Sequence, residues 1–285
     1  MNVERCGKGL GRGLGRGGWL ALLLCACAAR QRPAPMPVGQ TVRVDAELTV
    51  TRLAEHAYVV TVEEPFASNA LLMEVGDSGR VFVNTLYRPE TARALLRWAD
   101  EALGPRKRRV AINTHFHPDA LGGNAAFLEA GIPVYGSDRT VQLLAERGEK
   151  MHGLMDEWLA DRPALQALHH GVRYLPPDHV FPLRQGLSLS FEGEPLRVVF
   201  PGPAHSPDNV VVNFPAQGVL YGGCMVIAMP EIGNLSDADL EAWPKSLREL
   251  WSLGADFVIP GHGEGVDPGL LRNTAYVLSR QPRGE

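Results

Sequence analysis

At 285 residues, with 45% apolar and 21% charged side chains, the chain can build one large globular domain or two modest ones around a buried core. Its formal charge of -4 gives no electrostatic case for nucleic acid, which normally needs a basic face, so no nucleic acid is expected and a small molecule or a protein is the default partner. Residues 1–29 read as an export signal or lipoprotein leader: Lys8, Arg12 and Arg16 in a glycine-rich stretch precede the apolar run Trp19 to Ala29. That run is about ten residues long, too short to span a bilayer and typical of a signal-peptide core. Its end allows two readings, a lipoprotein site that leaves a lipid anchor on Cys27 or ordinary cleavage at Ala26-Cys27-Ala28. The chain is therefore expected outside the cytoplasm, as a periplasmic protein or a membrane-anchored lipoprotein. Cys6, Cys25 and Cys27 lie in the leader and Cys224 stands alone in the body, so the mature domain forms no internal disulfide. A lone thiol in an oxidising compartment needs burial or a metal.

Residues 30–41, with Pro33, Pro35 and Pro37, form a Pro-rich linker, and the folded domain spans 42–282. Four strands are expected early, over 42–50, 53–62, 69–75 and 80–85, from their β-branched and apolar content. Between the second and third, Phe66 is either a flap over a site or a hairpin tip. Pro89 to Leu103 is a helix, with Ala92, Leu95, Leu96 and Ala99 on one face and Gly104-Pro105 stopping it. Then come a strand through Val110-Ala111-Ile112, a short helix from Gly122, a strand at Pro133 to Tyr135, and a helix capped by Ser137 and running to about Arg147. More helix lies between Glu149 and His170, whose Met and aromatic positions read as core. Strands return at 180–182, 187–191, 196–200, 210–214 and 219–222; a helix over 237–253, a strand at 257–259 and a helix over 268–279 finish the chain. Strands followed by helices in each half predict an α/β protein of two packed sheets with helices outside.

Thr114-His115-Phe116-His117-Pro118-Asp119 follows a buried strand and puts ligand-capable groups at i, i+2 and i+4, which converge in extended or loop backbone and diverge on a helix. Taken alone, the pattern is either a metal loop or a polar loop capping a strand. The Gly122-Gly123 pair after it permits close backbone approach. His205 in a Pro/Gly loop, Cys224 after Val219 to Gly223, and His262 in Pro260-Gly261-His262-Gly263 stand at the ends of other apolar runs. Together the six, His115, His117, Asp119, His205, Cys224 and His262, are enough for two zinc ions, one borderline and one softer. His56, His152, His169, His170 and His179 lack such contexts and read as surface or structural.

His-Phe-His-Pro-Asp at 115–119, Gly-Pro-Ala-His-Ser-Pro-Asp-Asn at 202–209, Gly-Gly-Cys at 222–224, Gly-Asn-Leu at 233–235 and Pro-Gly-His-Gly at 260–263 resemble the metallo-β-lactamases, and most closely their three-histidine di-zinc subclass B1. The resemblance covers residues 42 to 280. It implies a metallo-β-lactamase-like αβ/βα four-layer sandwich, with one zinc on His115, His117 and His205 and another on Asp119, Cys224 and His262. Ala120 stands where most di-metal relatives carry a histidine, and His115 where the mono-zinc subclass carries asparagine. The implied activity is hydrolysis of the β-lactam amide bond by a metal-bound hydroxide, giving resistance to β-lactam antibiotics, by a monomer. Asp119 would orient the water, Asn234 would donate to the oxyanion, and Phe66 and Asn234 would contact substrate. Three departures qualify it: Ile227 replaces a carboxylate-binding Lys, the segment from Cys224 to Asn234 is short and has no cation, and Asn84 stands where many relatives have Asp. They leave open a di-zinc hydrolase of another ester, thioester or lactone, and a non-enzymatic exported protein whose zinc stabilises the fold.

Overall fold

The computed structural model describes residues 36–281. The leader over 1–29, with Cys27, and the first part of the linker lie outside them. The linker's last residues are docked on the domain: the Gly39 N–H donates to the Arg52 carbonyl at 2.8 Å, the Arg52 guanidinium donates to the Met36 carbonyl, and Met36 packs against the first core.

The first half of the chain forms an eight-stranded sheet whose strands lie in sequence order. They are β1 (Thr41–Arg43), β2 (Leu48–Ala54), β3 (Ala57–Val62), β4 (Ser68–Val75), β5 (Gly79–Val83), β6 (Arg108–Ile112), β7 (Val134–Ser137) and β8 (His179–Phe181). Five strands occupy the region where four were expected. Asp45 breaks the first run, because its carboxylate accepts from the Glu47 and Leu48 N–H groups at 2.8 Å in an Asx-type turn. The second run breaks at the Glu55-His56 turn. Neighbours from β1 to β5 are antiparallel and those from β5 to β8 parallel. The connecting helices are α1 (Pro89–Ala102), α2 (Pro118–Leu121), α3 (Asn124–Glu129), α4 (Asp138–Trp158) and α5 (Pro163–His169). Ser137 caps α4 as expected, accepting from the Thr140 N–H. The helix then runs through Gly148 and Gly153 well past Arg147, since each interior glycine costs only about 1 kcal/mol.

The second sheet has five strands in the order β13-β12-β11-β10-β9. These are β9 (Leu187–Phe191), β10 (Glu194–Val199), β11 (Val211–Phe214), β12 (Val219–Ile227) and β13 (Phe257–His262), with α6 (Trp243–Trp251) before β13 and α7 (Gly269–Ser279) after it. The helix expected from Asp237 begins only at Trp243, because Pro244 lacks an N–H and its ring is tolerated only in a first turn.

Alternation along the strands builds the layers. Val81 and Val83 face inward to a shared core with Val212, Phe214, Tyr221 and Ile259 of the second sheet, while Phe82 faces outward to α1 and α3. On the far side Val211, Leu220 and Val258 meet Trp243 and Leu247 of α6 and Leu271 and Val277 of α7. The result is the αβ/βα sandwich, two mixed sheets flanked by helices. The ends of β5, β6, β10, β12 and β13 meet at one edge of it.

Candidate metal centre

At that edge β6 delivers the loop of His115, His117 and Asp119. Its tight fold rests on Gly123: a Cβ there would lie 1.9 Å from the Thr85 carbonyl oxygen. The Val210 N–H donates to the Thr114 carbonyl at 2.8 Å and so joins this loop to the one carrying His205. Buried Asp208 fastens the His205 loop, accepting from Ser206 Oγ at 2.8 Å and from Thr140 Oγ1 of α4 at 2.7 Å. Cys224 lies inside β12 and His262 at the last position of β13, rather than in loops beyond shorter strands. Register slips against β13 on both sides of Gly223 re-aim this part of β12. A Cβ on Gly261 would sit 2.5 Å from Cys224 Sγ, so a glycine is what lets β13 pass the thiol.

The structure brings all six candidate ligands together. One ligand atom from each member of three overlapping trios lies within 4.8 Å of the others: His115–His117–Asp119, His115–His205–Cys224 and Asp119–Cys224–His262. The rings of His115, His117 and His205 stand 4.8 to 5.4 Å apart. Around them, neighbouring groups fix which nitrogen faces inward. Thr114 Oγ1 donates to Asn84 Oδ1 at 2.9 Å and lies 3.2 Å from His115 Nδ1, so it accepts that ring's proton. His115 Nε2 is then a buried atom with no partner, pointing at the cluster. His262 Nδ1 is bound to the Ala67 carbonyl at 2.7 Å, and its Nε2 lies 3.7 Å from Asp119. Asp237 Oδ2 takes His117 Nε2 at 3.0 Å, leaving Nδ1 on the His205 side.

Burial pushes His115 down to about 3, against the pull of Asp119, and carries His205 well below the ordinary histidine value. Both rings are neutral at pH 7, with lone pairs available. Burial opposes ionisation of Asp119, but His115, His262 and His117 outweigh it and hold the carboxyl below its usual range. Burial, reinforced by Asp119, raises the Cys224 thiol well above its ordinary value, and Sγ donates to Asp119 Oδ2 at 3.3 Å. An orphaned buried nitrogen, neutral imidazoles, a carboxylate and a thiol that only a cation would ionise fit a metal, and the mixed N/O/S donor set suits zinc.

Phe66 sits half-buried on the β3–β4 loop, its ring 5.9 Å from His262. Asn234 is exposed; its Oδ1 accepts from the Ser236 N–H at 2.9 Å, and its side chain has no other hydrogen bond among the described residues. Ile227 corrects the expectation built on it: the side chain is buried in the outer core with α6 and α7, so that position does not face the cluster. The residues the sequence missed are the supports. Asp237 stands at the expected start of a helix, and Asn69, whose Nδ2 donates to the Pro260 and Gly263 carbonyls at 3.2 and 2.8 Å, lies within an expected strand. Nothing in their spacing marked them.

Comparison with known proteins agrees with this layout. The family model described as metallo-beta-lactamase superfamily matches residues 64–262. A curated relative, the metallo-beta-lactamase type 2 of Bacteroides fragilis, is 27% identical over 252 residues, covering 85% of this chain and 89% of its own. A solved metallo-beta-lactamase from Pontibacter korlensis superposes with a TM-score of 0.69 at 30% identity, covering 82% of this chain and all of its own. The Erythrobacter litoralis enzyme, solved with beta mercaptoethanol in its active site, gives 0.68 at 25% identity over 85% of this chain. On the ligand cluster, the two-sheet sandwich that carries it and these matches along most of its length, the chain belongs to the metallo-beta-lactamase superfamily.

Proposed function

We propose that the chain is an exported zinc-dependent β-lactamase that opens the β-lactam amide bond. Two zinc ions would be held, one by His115, His117 and His205 and the other by Asp119, Cys224 and His262. The observation that carries this reading is the placement of Cys224 against Asp119 and His262, beside the imidazoles of His115, His117 and His205. Relatives named as β-lactamases along most of the chain support it. When bound, zinc supplies Lewis acidity and lowers the pKa of a coordinated water to about 7. The chain's own groups do the rest. Asp119, kept ionised, orients the attacking water. Asn234 uses Oδ1 in its turn and keeps Nδ2 free to donate to the oxyanion that develops on the carbonyl. Phe66 stands over the His262 side of the cluster, where it would contact a bound substrate. Asp237 holds the His117 ring in one orientation.

The test is hydrolysis of a penicillin, a cephalosporin and a carbapenem by the zinc-loaded protein, with zinc content measured alongside. Turnover no greater than that of the Cys224→Ser and His117→Ala variants would sink the proposal. Cell fractionation tests export, and gel filtration the expected monomer.

A second reading keeps the metals and changes the substrate to another ester, thioester or lactone. It is favoured by the absence of any Lys or Arg between Cys224 and Lys245. Losing a charged hydrogen bond of about 1.5 to 3 kcal/mol weakens binding of a substrate carboxylate by about tenfold or more. If lactones or thioesters turn over and β-lactams do not, this reading replaces the first.

A further inference from the structure

The α4–α5 arm is fastened to the β3–β4 loop on the side of the cluster where His262 stands. Arg162, just before α5, donates to the Pro65 carbonyl at 2.8 Å and pairs with Glu64 at 3.2 Å. The Tyr87 hydroxyl meets His169 Nδ1 at 2.6 Å and ties α5 to the body of the domain. Between these two ties runs a series of rings. Phe66 lies 5.9 Å from His262, 5.6 Å from Tyr87 and 5.8 Å from Trp158, the last two edge-on. Trp158, the last residue of α4, carries the Arg162 guanidinium over its ring at 4.4 Å. Even so it is 51% exposed.

An indole fixed by an edge contact and a cation contact, half of its surface open and one ring away from a candidate metal ligand, is a preorganised stacking platform. We propose that Trp158 is a specificity-determining residue, stacking a neutral aromatic group carried on the substrate's side chain, with the Phe66 ring standing between the indole and His262. This deepens the metallohydrolase reading of the site and rests on it. The preference is for a neutral ring because the cation at this lip, Arg162, is engaged by Glu64, by Pro65 and by the indole itself, and offers no free charge to an anionic group. The site contributes the reaction; the arm contributes the choice of side chain.

The test reads binding rather than turnover. Zinc takes thiols readily, so the affinities of phenylpropanethiol and propanethiol for the zinc-loaded full chain are compared by calorimetry. The aromatic thiol is expected to bind roughly three- to tenfold more tightly, the worth of one aromatic contact. Trp158→Ala should bring that ratio close to one, Trp158→Phe should keep most of it, and a carboxylate added to the probe's ring should bring no further gain. A ratio near one in the parent, an unchanged ratio in Trp158→Ala, or tighter binding of the carboxylated probe overturns the proposal. In parallel, KM is compared for a penicillin with a benzyl side chain and for the bare penicillin nucleus. If no β-lactam is hydrolysed while the thiol ratio collapses in Trp158→Ala, the β-lactam reading falls and the aromatic subsite stands. If β-lactams are hydrolysed and the ratio does not move, the reverse holds.

Discussion

Replacing Asn84 by Asp, the residue that the family resemblance leads one to expect there, should destabilise this protein. Asn84 is buried in a left-handed backbone conformation, with φ at 68°, and both ends of its amide are used. Oδ1 accepts from the Thr114 N–H at 3.0 Å and from Thr114 Oγ1 at 2.9 Å, and Nδ2 donates to the Tyr221 hydroxyl at 3.0 Å. The single Tyr221 proton is committed to the Asn69 carbonyl at 2.5 Å, and burial holds that phenol protonated. A carboxylate would therefore set an acceptor against an acceptor. Either Tyr221 turns and orphans the Asn69 carbonyl, at about 1 to 3 kcal/mol, or the new carboxyl stays protonated. In the second case its folded pKa lies above the unfolded value of about 3.9, so the folded state holds a proton that the unfolded state releases. The deficit relative to the parent is then small near pH 4 and grows with pH by about 1.4 kcal/mol per unit, levelling off near 3 kcal/mol for a shift of about two units. Urea unfolding of the metal-free Asn84→Asp and parent proteins at about pH 5 and pH 8 measures this. A variant as stable as the parent at the higher pH would refute the reasoning, and a deficit equal at both would remove its protonation step.

Three further outcomes follow from the site and its supports. Asp237→Ala should weaken zinc binding about 10- to 100-fold in chelator competition, because the His117 ring loses the carboxylate that orients it; unchanged affinity would make that contact incidental. Metal-free protein should lose stability in acid. His115 and His205 titrate lower when folded than the ordinary 6.5, so the stability they contribute is present above 6.5 and lost as pH falls toward about 3, at about 1.4 kcal/mol per unit for each group. Urea midpoints that stay flat from about pH 7.5 to pH 5 would contradict it. Gly123→Ala drives a Cβ into the Thr85 carbonyl and should cost about 3 kcal/mol or more, seen as a melting temperature about 6 to 12 °C lower; a shift under about 2 °C would show that the backbone relaxes easily there.

The layers of the fold were legible because period-two alternation and helical spacing survive in strands such as β5 and β11 and in the apolar face of α1. Boundaries went astray where a single side chain decides them: Asp45 closing a turn, Pro244 delaying α6 by six residues from the expected start at Asp237 to Trp243. The ligand candidates could be read because His, Cys and Asp in Gly-rich contexts at strand ends are chemically conspicuous. Their supports could not. Asn69 and Asp237 are ordinary polar residues whose roles arise from pairing with positions far along the chain, to Gly263 for one and to His117 for the other. Ile227 failed for the same reason, since which way β12 faces after its register slips is a property of the assembled sheet.

The meeting of the strand ends at one edge also bears on how the chain comes to hold metal. His115, His117 and Asp119 belong to the first sheet and His205, Cys224 and His262 to the second. Neither half alone carries a complete set, and in the unfolded chain the six are scattered along well over a hundred residues. Ions that bind only the closed arrangement stabilise it by mass action, so metal would act as a rivet between the sheets. Loading would thus report that both halves have come together, and the melting temperature should rise with free zinc until both positions fill.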